Sequence, residues 1–267
     1  MNLEPTGERM ILDRYKASLE DYAIYLMHVA TYEFAEQHTR GLRVLDFGCG
    51  SGYGSAQIAR TAAKVVGVDV AEDAISYARQ KFGGANLEFQ RIEPDARLPF
   101  ADASFDTVLS FQVLEHVRDV DNYLKEIRRV LVPGGRLVLA TPDRSTRLLP
   151  FQRPWNRWHV HEYSRTELSR VVSRHFRNVS VMGMTATREL LKVELDRCRR
   201  VKWLSLPFTL PLMPDRWRVA ALNTVHRLRG PGIAKGPEQS YPFGVSDIRI
   251  AKDANPSVNL VVVASQS

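Results

Sequence analysis

Short apolar runs alternate with amphipathic segments along the middle of the chain. The runs have the length of strands, and between them apolar side chains recur every three or four residues, which is the spacing of a helix. The predicted strands are Arg43–Phe47, Lys64–Val68, Leu87–Gln90, Thr107–Phe111, Leu137–Thr141, Val179–Met184 and Asn259–Ala264. The predicted helices are Tyr53–Thr61, Glu72–Phe82, Val120–Leu131 and Arg165–His175. Continuously apolar strands that alternate with helices predict an α/β fold, with a mostly parallel seven-stranded sheet and helices on both faces.

Two segments lie outside this alternation. Near the N-terminus, Ala17–His38 has helical spacing, so we expect residues 1–40 to form a helical cap on a core of residues 41–186. Residues 187–254 contain helical stretches broken by prolines, and residues 255–267 hold the final core strand. The sequence therefore predicts a helical insertion before the last strand, serving as a lid, a dimer contact or a membrane contact.

The composition excludes several classes of protein. With 44% hydrophobic and 25% charged residues the chain is close to the globular average, so neither disorder nor a membrane span is expected. Its longest apolar runs are far shorter than the roughly 20 residues that cross a bilayer. The first residues have no apolar signal-peptide core. Two cysteines, Cys49 and Cys198, are too few for a disulfide framework, so we expect a cytoplasmic protein.

Positive charge is concentrated in the predicted insertion. The chain has a formal net charge of +7, and the segment 188–229 holds ten Lys and Arg residues against four carboxylates. The basic residues are Arg188, Lys192, Arg197, Arg199, Arg200, Lys202, Arg216, Arg218, Arg227 and Arg229. Such a block fits nucleic acid, anionic lipid, an acidic substrate or simply a solvated helical face. Trp203, Phe208 and Trp217 lie in the same segment, and aromatic rings beside basic residues suit a membrane interface or a lipid-linked glycan.

A glycine-rich turn follows the first predicted strand and leads into a helix. Gly48, Gly50 and Gly52 come directly after Asp46. Glycines let the backbone turn tightly and let a ligand approach the free N–H groups at the start of a helix. Asp69 ends the second predicted strand, where a carboxylate accepts hydrogen bonds from ribose hydroxyls. The pattern therefore predicts a site for a nucleoside-containing ligand.

The spacing of the glycines argues against a nicotinamide dinucleotide. That fingerprint requires a third glycine three residues after the second, and this position is Tyr53. A ligand with an ammonium and a carboxylate explains the turn better than a pyrophosphate does. Asp46 is placed to orient the ammonium, while N–H groups of the turn meet the carboxylate.

Four more motifs follow the turn in order. They are Gly67–Val70, Leu98–Phe100 with Ser104–Asp106, the LEHV stretch Leu114–Val117, and Arg128–Gly135, which reads RRVLVPGG. With the turn, they make residues 41–141 closely resemble the class I S-adenosylmethionine-dependent methyltransferases. The resemblance implies a Rossmann-like fold and S-adenosylmethionine as the methyl donor.

The same resemblance implies which residues hold the donor. They are Asp46, Gly48, Gly50, Gly52, Tyr53, Asp69, Val70, Glu93, Asp95 and Phe111. In this family Asp69 would hold the ribose, Val70 would flank the adenine, and Phe111 follows the strand that faces the methionine part. The family's acidic contact to the adenine amine falls in register on Pro94, so Glu93 and Asp95 both remain candidates.

A narrower resemblance concerns the acceptor. Thr6–Arg9, Tyr32–Ala35, Thr141–Asp143 and Trp158–Tyr163 are similar to segments of bacterial methyltransferases associated with surface-polysaccharide synthesis. This branch implies O-methylation of a sugar hydroxyl on a glycan or glycolipid. A lipid, a quinone or a secondary metabolite remains the alternative acceptor, because one fold serves many substrates.

Methyl transfer to a hydroxyl needs a group that removes or acidifies its proton. In-line displacement is accelerated by alignment, and a sugar hydroxyl also benefits from a base or a metal ion. Glu115 and His116 follow the fourth predicted strand, and His159 follows the fifth. Ligands of open α/β sheets lie at these strand ends. Glu115, His116 and His159 are therefore the candidate catalytic residues, and His161 and Glu162 on the same loop are further candidates.

A metal site is the second interpretation of the same residues. Small-RNA 3′-end methyltransferases resemble this layout and bind a divalent ion through an ExxEH motif and a downstream histidine. The corresponding residues are Gln112, Glu115, His116 and His159, which would hold Mg²⁺. Gln112 replaces a carboxylate and is a weaker, uncharged ligand.

The remaining expectations concern partners. A protein of another class, which keeps the fold and binds the donor or nucleic acid without turnover, would share most of these motifs. No aromatic RNA-recognition motif is present, so nucleic acid is not the expected partner. We expect a small-molecule or glycan acceptor, with peripheral membrane contact and a homodimer as further expectations.

Overall fold

The computed structural model describes residues 18–94, 96–229 and 240–266, apart from the side chains of residues 225–229. Four features of the sequence therefore lie outside the described residues: the motif Thr6–Arg9, the adenine candidate Asp95, and the side chains of Arg227 and Arg229.

The described chain alternates strands and helices in the predicted order. The strands are β1 (Arg43–Phe47), β2 (Lys64–Asp69), β3 (Leu87–Arg91), β4 (Phe105–Phe111), β5 (Leu131–Pro142), β6 (Arg177–Ala186), β7 (Ile248–Ala251) and β8 (Asn259–Ser265). The helices are α1 (Leu19–Glu36), α2 (Tyr53–Ala59), α3 (Glu72–Phe82), α4 (Val120–Val130), α5 (Arg144–Arg147), α6 (Arg165–Val172), α7 (Arg188–Ser205) and α8 (Asp215–Arg229). Short 3₁₀ turns occupy Leu114–His116, Leu206–Phe208 and Val245–Asp247.

All eight strands form one mixed sheet with the order β3-β2-β1-β4-β5-β8-β6-β7. From β3 to β5 every neighbouring pair is parallel, whereas β8 runs antiparallel to both β5 and β6. The chain order reverses at β1, since β2 lies on one side of it and β4 on the other. Such a reversal leaves a crevice at the carboxyl ends of the strands.

One element differs from the sequence-based expectation. Residues 187–254 were expected to be helical, yet Ile248–Ala251 forms β7, which pairs antiparallel with β6 as an eighth, edge strand. A four-residue strand on the sheet edge buries little, so its sequence carries no strong pattern. Helices α7 and α8 occupy the earlier part of the segment as expected.

The sheet separates two apolar cores. Val44 and Val138 point to the face that α1, α2 and α3 cover, whereas Leu45 and Leu139 point to the face under α4 and α6. Consecutive residues of a strand alternate between faces, so a central strand such as β1 or β5 has consecutive apolar residues, as in Val44–Leu45 and Leu137–Ala140. Because both faces of these strands are buried, their carboxyl ends, where the site lies, are held in fixed positions.

Helix α1 covers one side of the first core. Ser18 caps it by accepting a hydrogen bond from the Asp21 backbone N–H at 3.0 Å, and the helix packs against α2 and α7. Glu20 forms a 2.6 Å ion pair with Arg200 of α7. Within the described residues, no helix is long and apolar enough to cross a bilayer.

Candidate active site at the carboxyl edge of the sheet

The glycine-rich turn after β1 has the conformation that its sequence predicts. Gly48, Gly50 and Gly52 all have positive φ angles of 85°, 52° and 82°. At Gly52 a β-carbon would lie 2.7 Å from Ala78 and 2.8 Å from Phe89, so no larger residue fits there. The turn therefore exposes backbone, rather than side chains, toward the crevice.

Asp69 closes the turn from the neighbouring strand. Its Oδ2 accepts a hydrogen bond from the Gly50 N–H, and its Oδ1 accepts one from the Ala71 N–H, each at 2.9 Å. Because a carboxylate offers about four acceptor positions, two such bonds leave capacity for a diol. The two residues that the sequence assigned to one site thus lie in direct contact.

Asp46 lies beneath the turn and is buried. Its carboxylate accepts hydrogen bonds from Ser55 Oγ at 2.6 Å and from the Tyr32 hydroxyl at 3.2 Å. Burial raises the pKa of Asp46 to about 6, although these two hydrogen bonds oppose the shift. Asp46 therefore fixes the floor of the site, and its contact with a donor ammonium stays a prediction.

An aromatic group lines the floor beside Asp46. The Tyr32 ring meets Tyr53 edge-on at 5.6 Å and Phe111 at 4.9 Å between centroids. The Tyr53 hydroxyl is buried and makes no hydrogen bond within the described chain. Tyr53 and Phe111 were expected in the donor site, whereas Tyr32, which α1 contributes, was not.

The expected adenine end is more open. Val70 follows β2 and is 46% exposed. Glu93 is also exposed, and its carboxylate forms a 2.8 Å ion pair with Arg91. The role of Glu93 at the adenine amine remains a prediction, as does that of Asp95 outside the described residues.

A second group of polar side chains lies at the ends of β4 and β5. Glu115 and His116 belong to the 3₁₀ turn after β4, and His159 lies on the loop after β5. Each contributes a potential ligand atom, and these atoms all lie within 4.8 Å of one another. The loop is fastened there because the Val160 N–H donates to the Glu115 carbonyl at 2.8 Å. These are the three residues that the sequence analysis named as candidate catalytic residues.

Glu115 is the most deeply buried of the three. Its Oε2 accepts a 2.9 Å hydrogen bond from Thr141 Oγ1, whereas Oε1 has no hydrogen-bond partner in the described chain. Burial raises the pKa of Glu115, and the nearby His159 and His116 only partly offset this effect. An unsatisfied buried carboxylate oxygen calls for a proton or a cation.

His159 is oriented by a buried ion pair. Its Nδ1 lies 2.7 Å from Glu162 Oε1, and Arg147 Nε donates to Glu162 Oε2 at 2.9 Å. Burial alone would raise the pKa of Glu162, but Arg147 and His159 outweigh it and hold this pKa at about 2. Because an ionised Glu162 can only accept, the proton of a neutral His159 sits on Nδ1 and Nε2 keeps its lone pair.

The other polar candidates differ in position. His116 Nδ1 lies 3.2 Å from the Trp158 carbonyl, and its ring meets that of His159 at 4.9 Å. His161 instead pairs with Glu167 at 2.8 Å. Gln112 has a left-handed φ of 57°, and its N–H donates to the Ala140 carbonyl. Its expected part in a metal site stays a prediction.

The two groups of residues adjoin each other. A β-carbon on Gly48 would overlap the side chain of Val113, which lies two residues before Glu115. The turn after β1 and the turn after β4 are therefore packed directly together at the point where the strand order reverses. A molecule on the glycine-rich turn thus lies next to the turn that carries Glu115 and His116.

Solved structures share this architecture. A methyltransferase from Thermotoga maritima, described as a possible histamine N-methyltransferase, superposes with a TM-score of 0.58 at 14% identity, covering 95% of this chain and 98% of that one. The [4+2]-cyclase SpnF superposes with a TM-score of 0.55 at 17% identity, covering 88% and 79%. The molecule has the Rossmann-like fold of the class I S-adenosylmethionine-dependent methyltransferases. Identities this low establish the fold alone.

The chain also has relatives in sequence. Residues 45–139 match the family described as a methyltransferase domain. A probable S-adenosylmethionine-dependent methyltransferase of Mycolicibacterium smegmatis is 34% identical over 167 residues, which cover 62% of this chain and 62% of that protein. The ubiquinone biosynthesis O-methyltransferase of Sinorhizobium fredii is 40% identical over 111 residues, covering 41% and 44%. The chain spans less than two thirds of the length of these relatives, and residues 45–139 are the part that matches the methyltransferase domain family.

Proposed function

We propose that the protein is an S-adenosylmethionine-dependent O-methyltransferase that acts on a hydroxyl group. The observation that carries the proposal is the contact between Gly48 and Val113. This contact puts the turn proposed to bind the donor next to the cluster of Glu115, His116 and His159, in which Glu115 and His159 are buried and His116 is partly exposed. A proton acceptor next to a methyl donor is the arrangement that O-methylation requires.

The chain's own residues supply proton transfer and alignment. S-adenosylmethionine would supply a methyl group activated on a sulfonium, and its neutral thioether product would be the leaving group when the acceptor oxygen attacks that methyl carbon. His159 Nε2 takes the hydroxyl proton, so that the oxygen forms its bond to carbon as the carbon–sulfur bond breaks. The ionised Glu162 then stabilises the imidazolium, and Arg147 keeps Glu162 ionised.

The proposed acceptor is a sugar hydroxyl of a glycan or glycolipid intermediate. The motifs shared with polysaccharide-associated methyltransferases support it, since Trp158–Tyr163 forms the loop that delivers His159. A quinone or other lipid is the alternative, which the similarity to the Sinorhizobium fredii enzyme favours. Both acceptors offer a hydroxyl, so the chemistry proposed for His159 serves either one.

Transfer of labelled methyl from S-adenosylmethionine to cell-envelope fractions tests the function and the acceptor together. We expect label in carbohydrate released by acid hydrolysis and recovered as a methylated sugar by mass spectrometry. Label confined to quinones would replace the sugar acceptor and keep O-methylation. No methylated product in any fraction would favour the competing class, a donor-binding or nucleic-acid-binding protein without turnover.

A metal-assisted version is the second candidate mechanism. One carboxylate and two imidazoles within 4.8 Å form a plausible ligand set, and the unsatisfied Glu115 Oε1 suits a cation. Two nitrogen ligands fit Mn²⁺, Zn²⁺ or Fe²⁺ better than the Mg²⁺ that the sequence suggested, because Mg²⁺ prefers oxygen. In this version Glu115, His116 and His159 would hold the ion, which would lower the pKa of the acceptor hydroxyl.

The donor site makes a separate prediction. Replacing Asp69 by alanine is expected to weaken S-adenosylmethionine binding at least about tenfold, because ribose hydroxyls lose a charged acceptor worth roughly 1.5–3 kcal/mol. Isothermal titration calorimetry measures the change. Asp102→Ala, which removes an exposed carboxylate paired with Arg129, is the control and should bind as the wild type does. Unchanged affinity in Asp69→Ala would remove Asp69 from the site.

A cytoplasmic location and a homodimer stay predictions from the sequence.

A further inference from the structure

Large exposed apolar side chains are concentrated in one part of the described chain. Of the nine, only Val70 lies outside the segment 151–217. The other eight are Phe151, Trp158, Val160, Trp203, Leu204, Leu210, Leu212 and Trp217. Trp203 is 58% exposed and Leu212 is 96% exposed. Scattered apolar residues are ordinary on a surface, but such a concentration marks a contact with something apolar.

The two segments that carry these side chains form one structural unit. Gln152 Nε2 donates to Thr209 Oγ1 at 2.8 Å, and the Arg153 N–H donates to the Thr209 carbonyl at 2.9 Å. Farther along, Arg218 donates to the Pro154 carbonyl at 2.8 Å. The loop after β5 is thus fastened to the end of α7 and to α8 through buried polar contacts. We call the exposed side chains of residues 151–217 the apolar–basic surface.

The positive charge of this unit indicates which kind of apolar partner it binds. Residues 151–217 hold thirteen Lys and Arg residues against six Asp and Glu residues, an excess of seven that equals the chain's net charge of +7. Arg199 is exposed four residues before Trp203 in α7, and Arg216 is exposed directly before Trp217. Arg157 lies over the Trp158 ring at 4.6 Å. Exposed Trp and Leu with Arg between them match an anionic bilayer, whose headgroups attract the cations and whose interface accepts the apolar side chains.

We propose that the apolar–basic surface binds the surface of an anionic lipid bilayer. Exposed leucines such as Leu204 and Leu212 make no favourable contact with the phosphates of a nucleic acid, which disfavours nucleic acid as the partner. Trp158 and Val160 flank His159 in sequence, so the bound membrane lies at the mouth of the catalytic cluster. Together with the proposed function, this geometry makes the acceptor a lipid-linked hydroxyl presented at the membrane surface.

Sedimentation of the full chain with vesicles tests the proposal without donor or acceptor. Vesicles of phosphatidylcholine alone are compared with vesicles containing about one quarter phosphatidylglycerol. We expect the anionic lipid to raise the partition coefficient at least about tenfold, and high salt to reverse most of the gain, because salt screens exposed charges. Equal sedimentation with both vesicles, or none with either, would overturn the proposal.

Two variants assign the binding to this surface. Trp203→Ser combined with Leu212→Ser and Trp217→Ser removes apolar contacts, and Arg199→Glu with Arg216→Glu reverses charge. All five side chains are exposed, so folding should be preserved, which circular dichroism checks. Each variant should lose most of the binding. Arg60→Glu with Arg97→Glu makes the same charge change outside the surface and should retain most of it. Equal loss in this control would mean that only net charge matters.

Methyl transfer and vesicle binding can be measured separately, so membrane binding and the proposed function can fail independently. Methyl transfer to a water-soluble acceptor does not need the membrane, so it should survive in the Trp203, Leu212 and Trp217 variant. Vesicle binding does not need the catalytic residues, so it should survive in a variant without His159. Binding of a short RNA by the wild type in place of vesicles, lost in Arg199→Glu with Arg216→Glu, would assign the surface to nucleic acid and refute the lipid proposal.

Discussion

Replacing His159 by alanine is expected to lower kcat by about 10²–10⁴-fold at saturating S-adenosylmethionine, which is the usual contribution of a general base. The physical reason is the orientation of the ring. Glu162 Oε1 lies 2.7 Å from Nδ1, which favours the tautomer with the proton on Nδ1 and the lone pair on Nε2. Steady-state kinetics measure the loss, and calorimetry should show nearly unchanged donor affinity.

Two further alanine variants make the result specific to His159. His161→Ala is the matched control, because His161 pairs with Glu167 outside the cluster and its loss should change kcat little. His116→Ala tests the second imidazole, which lies 4.9 Å from the first. If His159→Ala and His116→Ala both retain full turnover, the base lies elsewhere and the proposed mechanism is wrong.

Chelation separates the two versions of the mechanism. If Glu115, His116 and His159 hold an ion, EDTA should abolish activity, and Mn²⁺, Zn²⁺ or Fe²⁺ should restore it better than Mg²⁺ does. Activity that is indifferent to EDTA would leave His159 as a simple general base. Either outcome is compatible with the labelled-methyl experiment, so the mechanism can fail without the function failing.

Replacing Arg147 by methionine is expected to lower the free energy of unfolding by about 3–5 kcal/mol, because it leaves a buried carboxylate without its cation. Arg147 and Glu162 are both buried and joined at 2.9 Å, and methionine keeps most of the packing against Trp155. Urea unfolding measures the change. Arg249→Met, at the exposed pair with Asp253, is the control and should cost less than about 1 kcal/mol.

The same ion pair predicts how stability depends on pH. The pKa of Glu162 is about 2 in the folded protein, below its ordinary value. A lowered folded-state pKa gives stability that is present above the unfolded-state pKa, about 4.3, and is lost as the pH falls toward 2. Arg147→Met should flatten this part of the curve. A loss below 1 kcal/mol at neutral pH, with the acid slope unchanged, would mean that the pair contributes little.

Much of the site was predictable because strand ends have a simple geometry. Parallel neighbouring strands bring their carboxyl ends to one edge, so the sequence could place Gly50 beside Asp69 and Glu115 near His159. Apolar strands separated by helices also gave the order of the core elements. These inferences need only the position of each residue along its own strand.

The missed features depend on contacts that no local pattern encodes. Arg147 and Glu162 lie 15 positions apart in an irregular segment, and their pairing depends on how that loop folds. Tyr32 reaches Asp46 from α1, which shares no strand with it. Strand β7 exists because β6 offers an open edge. The sequence alone allows other ion pairs, hydrogen bonds and strand pairings for these residues. Which of them form can be seen only in the folded chain.

The position of β8 has a consequence for biosynthesis. β8 lies between β5 and β6, although residues 143–258 separate it from β5 along the chain. A ribosome therefore releases β5 and β6 well before their common partner exists, and in the interval each exposes an edge of unpaired backbone N–H and C=O groups. Unpaired edges invite pairing with other chains, so nascent protein should depend on chaperones until residues 259–265 emerge and insert between the two strands.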